Sequence, residues 1–196
     1  DYIKNVDAAS IIYTDSGNIK FVIKDIKNYN SNLYTIYKDG RVKSKVFRNM
    51  LFDYIIQLNN QNIVITGMKK INDTTYRFIR SINPSDSIIW DYSEKSSDKF
   101  SAICKLNSNE FCITSKIEGQ MSFLVFDKNG LNVKQCSFIN RYGSFNSIMK
   151  TSDGSLLLSG YIFTNKESKN KKNAYVVKTQ GISNSIEYEN INSLNS

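Results

Sequence analysis

The sequence predicts an all-β fold built from four copies of one repeat, and three observations support this prediction. The 196-residue chain contains 12 Tyr and 11 Phe but a single Pro, and aromatic residues are enriched in β-strands. A strand–turn–strand segment recurs four times without a gap. No segment has the periodicity of an amphipathic helix. The hydrophobic content of 40% is typical of a globular chain with a buried core.

The recurring segment reads as a β-hairpin. Its copies are ASIIYTDSGNIKFVI, DYIIQLNNQNIVITG, SAICKLNSNEFCITS and NSIMKTSDGSLLLSG, which begin at Ala9, Asp53, Ser101 and Asn146. The equivalent turn positions are Gly17, Gln61, Asn109 and Gly154, so the successive spacings are 44, 48 and 45 residues. Glycine and asparagine tolerate the positive φ of tight turns, so Gln61 is the weakest copy.

A second hairpin follows in each repeat and brings the prediction to sixteen strands. Third strands are predicted at 33–37, 76–82, 123–126 and 175–178, and fourth strands at 42–47, 88–92, 133–138 and 186–191. Turn residues such as Asp39-Gly40 and Asn129-Gly130 separate them. Several strands, for example Ile63–Ile65, are apolar at consecutive positions, which indicates a sheet that is covered on both faces.

Repeated four-stranded sheets with two covered faces are typical of a β-propeller, in which each blade lies between two neighbours. We therefore predict a single propeller domain over residues 1–196, with repeats at approximately 7–48, 49–95, 96–140 and 141–191. Three arrangements stay open: a closed ring of four blades, half of a larger ring completed by a second chain, and part of a longer propeller.

The pattern resembles the secreted bacterial β-propeller repeat proteins, whose blades combine an apolar strand, an Asp-Gly turn and a strand of the form VVK or LVFDxNG. Those elements are Ser152–Gly160, Tyr175–Lys178 and Phe123–Gly130 in this sequence. The resemblance implies an extracellular or cell-surface location. It does not imply one activity, because such propellers serve as enzymes, lectins and assembly scaffolds. The spacing of the sialidase Asp-box is missing, and Trp90 alone matches the late tryptophan of quinoprotein repeats.

The net charge of +8 and the pI near 9.3 favour encounters with acidic partners. The lysines are scattered through an Asn-, Ile- and Lys-rich chain, so we do not predict a nucleic-acid partner. The sequence has no run of about 18 apolar residues and therefore predicts no transmembrane segment. Because the chain begins at Asp1, a removed leader peptide stays open.

The chain contains no histidine, so the usual catalytic base and the commonest metal ligand are missing. We predict no cofactor, no metal site and no catalytic residues. Cys104, Cys112 and Cys136 fit no zinc spacing and read as small core residues. If Ser108 is the centre of a three-residue turn, Cys104 and Cys112 are directly opposed, and a cross-strand contact between them is expected. Whether the pair forms a disulfide stays open, because it depends on the compartment and on the geometry.

An enzyme is the alternative from another class, most plausibly a carbohydrate-active one that uses paired carboxylates. No spacing marks such a pair among the candidates, which include Asp7, Asp53, Asp73, Asp86, Asp91, Asp98, Glu94, Glu110, Glu118, Glu167 and Glu187. Asp15, Asp39, Asp127 and Asp153 are interpreted as turn residues. A structural assembly or homodimerisation module is the third class.

The leading hypothesis is a non-catalytic module that binds a protein or glycan through its inter-blade loops. Arg48 and Arg141 lie at equivalent crossings between repeats, where a guanidinium can fork onto a carboxylate, and Tyr142 follows Arg141. The predicted loop lysines are Lys24, Lys27, Lys69, Lys70, Lys116 and Lys171, the last within the insertion 165–173. Phe52, Phe100 and Phe145 lie near the crossings and are candidates for stacking on a ligand or for core packing.

Overall fold

A computed structural model describes residues 6–58, 61–117, 119–163, 172–179 and 188–190. Fifteen β-strands lie in these ranges, which confirms the all-β class. Among the described residues there is no helix of the length and apolarity needed to cross a membrane. The chain divides into two compact units, and each contains two of the four predicted repeats.

The first unit comprises Asp1–Lys99 and Lys128–Gly130 and contains two four-stranded antiparallel sheets. The first sheet consists of β1 (Val6–Tyr13), β2 (Ile19–Asp25), β3 (Asn30–Ile36) and β4 (Val42–Phe47) in that order. The second sheet consists of β5 (Met50–Gln57), β6 (Ile63–Ile71), β7 (Thr74–Ile82) and β8 (Ile88–Lys95). Each sheet has the four strands that its repeat predicts.

The second unit comprises Phe100–Asp127 and Leu131–Ser196 and contains one seven-stranded antiparallel sheet. Its strands are β9 (Ala102–Lys105), β10 (Glu110–Ile117), β11 (Gln120–Asp127), β12 (Asn132–Lys150), β13 (Leu156–Phe163), β14 (Lys172–Thr179) and β15 (Tyr188–Asn190). The first part of β12 pairs with β11 and its last part pairs with β13. Two strands that the sequence predicts separately therefore form one continuous strand of 19 residues.

The turns of the first hairpins share one closing hydrogen bond. The N–H groups of Thr14, Leu58, Leu106 and Thr151 donate to the carbonyls of Asn18, Asn62, Glu110 and Ser155 at 2.8, 2.9, 3.0 and 2.9 Å. Gly17, Gly154 and even Gln61 have positive φ values, of 81°, 83° and 65°. The prediction that Asn109 adopts this conformation is wrong. In that turn the Asn109 N–H instead donates to Asn107 Oδ1 at 2.8 Å.

The core of the first unit joins residues of both sheets. Val22 and Leu33 of the first sheet belong to one cluster with Phe52, Ile65 and Phe78 of the second, and all five are at most 2% exposed. The Phe52 ring lies 5.7 Å from the Phe78 ring, edge to face, an arrangement that aromatic pairs prefer. Burial of these side chains supplies the main force that folds the unit.

The second unit has its own core, which includes Cys112, Phe123, Phe145, Leu158 and Val177. The stacking role considered for Phe145, and likewise for Phe52 and Phe100, is wrong. All three rings are at most 1% exposed, and Phe52 and Phe145 belong to the cores of the first and second unit. The single-domain prediction and the repeat boundaries stay predictions.

Candidate partner-binding site

A β-bulge lies at the start of the repeated hairpin in three of the four copies. The register shifts between Ala8 and Ser10 in β1, between Phe52 and Tyr54 in β5, and between Phe145 and Ser147 in β12. The bulged residues are therefore Ala9, Asp53 and Asn146. Each is the first residue of its aligned copy. Bulges redirect side chains and are enriched beside functional sites. Asp53 is the charged member of the set.

Asp53 is 8% exposed and lies among cations. The ammonium of Lys24 is 3.1 Å from Asp53 Oδ1, and that of Lys99 is 3.8 Å from the same oxygen. Lys24 also approaches Asp7 Oδ2 at 3.6 Å. A buried carboxylate is stable only with such partners. Since the side chains of Asp7 and Lys99 are exposed, the charged network reaches from Asp53 to the surface.

The charge of Asp53 affects the pKa of two half-buried tyrosines, Tyr29 and Tyr54. Burial raises the pKa of the Tyr29 phenol, the Asp53 charge raises it further, and Lys70 opposes the change. The pKa of Tyr54 is raised by the same two causes in the same order, with Lys24 opposing. Both phenols therefore remain protonated at neutral pH and can donate hydrogen bonds to an acceptor.

Hydrogen bonds donated by backbone N–H groups join three chain segments at this end of the unit. The Lys70 N–H donates to the Asn49 carbonyl at 2.9 Å, and the Asn49 N–H donates to Asn30 Oδ1 at 3.2 Å. Asn49 has a φ of 57°, the left-handed conformation that asparagine tolerates well. The preceding residue, Arg48, is exposed.

We refer to Lys24, Tyr29, Asp53, Tyr54 and Lys70 as the Asp53 cluster.

The structure brings Arg48 and Lys70 to this site but separates Lys69 from it. Adjacent residues in a strand point to opposite faces, and Lys69 is 8% exposed. Its ammonium lies 2.9 Å from Asp91 Oδ2, an oxygen that Arg80 Nη2 also contacts at 2.9 Å.

The loop placement of most of the predicted lysines is also wrong, because the strands run further than the sequence pattern indicates. Lys24, Lys69, Lys70 and Lys116 are strand residues, and Lys27 lies in the β2–β3 turn. Their binding roles stay predictions.

Arg141 and Tyr142 belong to the second unit and lie within β12, where the sequence predicts a crossing between strands. Tyr142 pairs with Gln120 of β11. Arg141 is exposed, and its charge lowers the pKa of Tyr175 against the larger, opposite effect of burial. Lys171 lies outside the described residues. Binding by Arg141, Tyr142 and Lys171 stays a prediction.

Cys104 and Cys112 are cross-strand partners in β9 and β10, as their spacing predicts. Both are free thiols, and Cys136 packs against the same core. Burial raises the pKa of Cys104 and, to a larger extent, that of Cys112. Within the described ranges, no group of three or more Cys, Asp or Glu side chains is arranged to hold a metal ion.

The sequence names Asp53 only as one carboxylate among many. A usable signal was present in the aligned copies, whose first residues are Ala9, Asp53, Ser101 and Asn146. A charge at a position that is otherwise small or neutral marks a departure from the repeat. The Lys24 contact could not be read from the sequence because it joins the second strand of one repeat to the first strand of the next.

The chain is similar in structure to proteins of β-propeller type. A protein of unknown function from Bacteroides caccae has 13% identity and a TM-score of 0.61, over 96% of this chain and 69% of that chain. A mannose phosphorylase from Leishmania mexicana has 13% identity and a TM-score of 0.55, over 97% and 70%. A gluconolactonase from Xanthomonas campestris has 10% identity and a TM-score of 0.53, over 89% and 69%.

These identities show the fold alone, and the similar structures include enzymes with different chemistries. No protein-family model matches the sequence, and no curated protein matches it.

Proposed function

We propose that this chain is a non-catalytic propeller module with one four-stranded blade per repeat, and that it binds a protein or glycan through Arg48 and the Asp53 cluster. The observation that carries the proposal is the buried Lys24–Asp53 pair at 3.1 Å, whose carboxylate acts together with the Lys70 charge on the half-buried Tyr29. Strands hold Lys24, Asp53, Tyr54 and Lys70, and short turns between strands hold Tyr29 and Arg48. Residues held by strands and short turns form a preorganised binding surface.

The residues favour a partner that carries carboxylates. Arg48 and Lys70 are exposed cations, and a guanidinium can donate two parallel hydrogen bonds to one carboxylate. Tyr29 and Tyr54 add ring surface together with a hydroxyl, a combination enriched at binding interfaces. An acidic peptide segment or an acidic sugar offers the matching groups.

An enzyme is the second candidate, and one contact favours it. Asp7 and Asp53 both approach the Lys24 ammonium, at 3.6 and 3.1 Å, so two carboxylates lie close together there, and glycoside hydrolysis uses such a pair. The Lys24 ammonium lies between the two carboxylates, where a glycosidic bond would have to be held. Binding therefore stands first.

The test measures binding to arrays of neutral and acidic glycans and of acidic peptides. Arg48→Ala/Lys70→Ala is compared with Lys38→Ala/Arg41→Ala, which removes two exposed charges from the β3–β4 turn at the opposite end of the first sheet. We expect the first variant to lose at least about tenfold in affinity, the loss of one good charged contact, and the second to bind normally.

Equal losses in both variants would indicate unspecific charge attraction, and unchanged binding by the first would remove the site assignment. Release of reducing sugar that is abolished by Asp53→Asn would favour the enzyme.

A further inference from the structure

The first sheet has an apolar face that is open to solvent. Three cross-strand rows form it: Ala8, Ile23, Asn32 and Val46; Ile11, Phe21, Tyr34 and Ser44; and Tyr13, Ile19, Ile36 and Val42. Directly paired residues point to the same side of a sheet, so these rows share one face. Ile11, Tyr13, Val42 and Val46 are 68%, 74%, 62% and 55% exposed.

The opposite face of the same sheet is buried. Val22, Leu33 and Phe47 are 1%, 2% and 8% exposed and pack with residues of the second sheet. Ile11, Tyr13, Val42 and Val46 lie on the edge strands β1 and β4, whereas the central-strand members of the open face, such as Phe21 and Tyr34, are half-buried. A sheet with two apolar faces normally has both covered.

The equivalent faces of the other repeats show what kind of surface covers this face. Ile11, Ile55, Ile103 and Ile148 hold the same position in the four aligned copies. Ile55 is 2% exposed and Ile148 is 7% exposed, in contrast to Ile11.

In both buried cases the cover is the sheet of the preceding repeat. Ile55 belongs to one cluster with Val22 and Leu33 of repeat one, and Ile148 belongs to one cluster with Cys112 and Phe123 of repeat three. The partner that fits the exposed face is thus another four-stranded sheet of this repeat type.

In repeats one and three, one face of the sheet covers the following repeat. The fourth repeat exposes the equivalent face. Met149 is equivalent to Ile12, which packs against the core of the first unit, yet Met149 is 53% exposed. Leu157 pairs with Met149 and is half-buried, and the neighbouring Val176 is 38% exposed. The equivalents of Met149 and Leu157 in repeat three are Cys104 and Cys112, which pack in the core of the second unit.

We propose that the exposed face of β1–β4 binds a second copy of this chain through the Met149, Leu157 and Val176 side of that copy's fourth repeat. Strand spacing and rise give the face an area of about 400 Å² in projection, the size of patches that mark interaction sites. Each copy carries both sides, so a dimer contains two such contacts. The inference does not depend on the Asp53 cluster.

Light scattering after size-exclusion chromatography tests the proposal over a range of concentrations. We expect a wild-type mass of twice 22.5 kDa. Ile11→Asp and Met149→Asp each place a charge on one of the two sides and are expected to give monomers. Leu131→Asp is the matched control, since Leu131 is 64% exposed and lies outside both sides. Circular dichroism establishes that all variants are folded.

Mixing Ile11→Asp with Met149→Asp provides the decisive measurement. The pair retains one intact contact, so the mixture is expected to form a heterodimer that neither variant forms alone. A wild-type mass of 22.5 kDa at every concentration overturns the proposal. A dimer that survives Met149→Asp but not Ile11→Asp also overturns it, because the two copies would then meet through identical faces.

Discussion

Cys104 and Cys112 lie directly opposite each other on β9 and β10. Residues paired in this way have Cα atoms about 4.5 to 5.5 Å apart, within the range of roughly 4.4 to 6.8 Å that disulfides span. The two thiols thus need little backbone movement to react, although burial raises the pKa of both.

We expect oxidised glutathione to convert this pair into an intramolecular disulfide, with release of reduced glutathione. The reaction should accelerate as the pH rises, because the thiolate is the attacking species and raised pKa values keep it scarce at neutral pH. Peptide mapping by mass spectrometry identifies the bond. Cys136→Ala should retain it and Cys104→Ala should abolish it; a bond that involves Cys136 in the wild-type protein would contradict the prediction.

Gly160→Ala should destabilise the protein strongly. A Cβ at this position would overlap the Ser144 carbonyl and come within 2.8 Å of Phe145 Cα, both backbone atoms that cannot rotate away. We expect a loss of about 3 kcal/mol in the free energy of unfolding.

Gly154→Ala is the comparison that separates the steric overlap at Gly160 from the cost of placing a side chain on backbone with a positive φ. Gly154 has a φ of 83° but no atom within 4 Å of the added Cβ, so the loss should be about 1 kcal/mol. Urea unfolding followed by fluorescence measures both variants. Equal losses would show that the close approach at Gly160 is not what limits its substitution.

Asp86 should contribute to resistance against acid. Burial opposes ionisation, but hydrogen bonds and charges from Lys43 and Lys20 outweigh it and hold the pKa below the ordinary value of 3.8. A carboxyl group with a lowered folded-state pKa stabilises the fold fully above its unfolded pKa, and this contribution disappears as the pH falls through the folded value. Asp86→Asn should cost about 3 kcal/mol at neutral pH, since it leaves Lys20 buried without its counter-charge.

Asp39→Asn is the control for Asp86, because it changes the equivalent turn of repeat one, where the Asp39–Arg41 pair is exposed. It should leave stability at neutral pH unchanged. Thermal unfolding between pH 2 and 7 checks both variants. A wild-type acid transition that is identical in Asp86→Asn would refute the role of Asp86.

Two cations share the Asp91 carboxylate, so removing Asp91 should reduce stability more than removing one of the cations. Lys69 and Arg80 share Asp91 Oδ2, and Arg80 Nε has no hydrogen-bond partner among the described residues. Asp91→Asn should therefore cost about 2 kcal/mol, because two buried cations lose their counter-charge. Lys69→Met keeps the Arg80 pair and should be neutral or stabilising. Unfolding midpoints measure the difference, and a larger loss in Lys69→Met would contradict the argument.

The hairpins could be predicted because their signals are local. Apolar residues and turn-forming residues recur at fixed spacing, and the β4 bounds Val42–Phe47 agree with the predicted strand. The contacts of Asp53 and Lys69 could not be predicted, because each requires the register of strands that are distant in sequence.

The continuity of β12 was missed although the sequence carries a hint. The repeat pattern places Arg48 and Arg141 at equivalent crossings, but the next residues differ. Asn49 adopts a left-handed φ of 57° and reverses the chain, whereas Tyr142 is bulky and remains extended in the strand. Asparagine adopts the left-handed conformation more readily than most residues, so Arg48-Asn49 favours a chain reversal more than Arg141-Tyr142 does.

The shared strand β12 makes repeats three and four interdependent in a way that repeats one and two are not. Repeat proteins usually couple neighbouring units through side-chain contacts, so that one unit can open while the next stays folded. Here the backbone hydrogen bonds of both repeats end on one strand. Unfolding of β12 itself removes the pairing partner of β11 and of β13 at once. Amide protons on β11 and β13 should consequently exchange in a single cooperative opening.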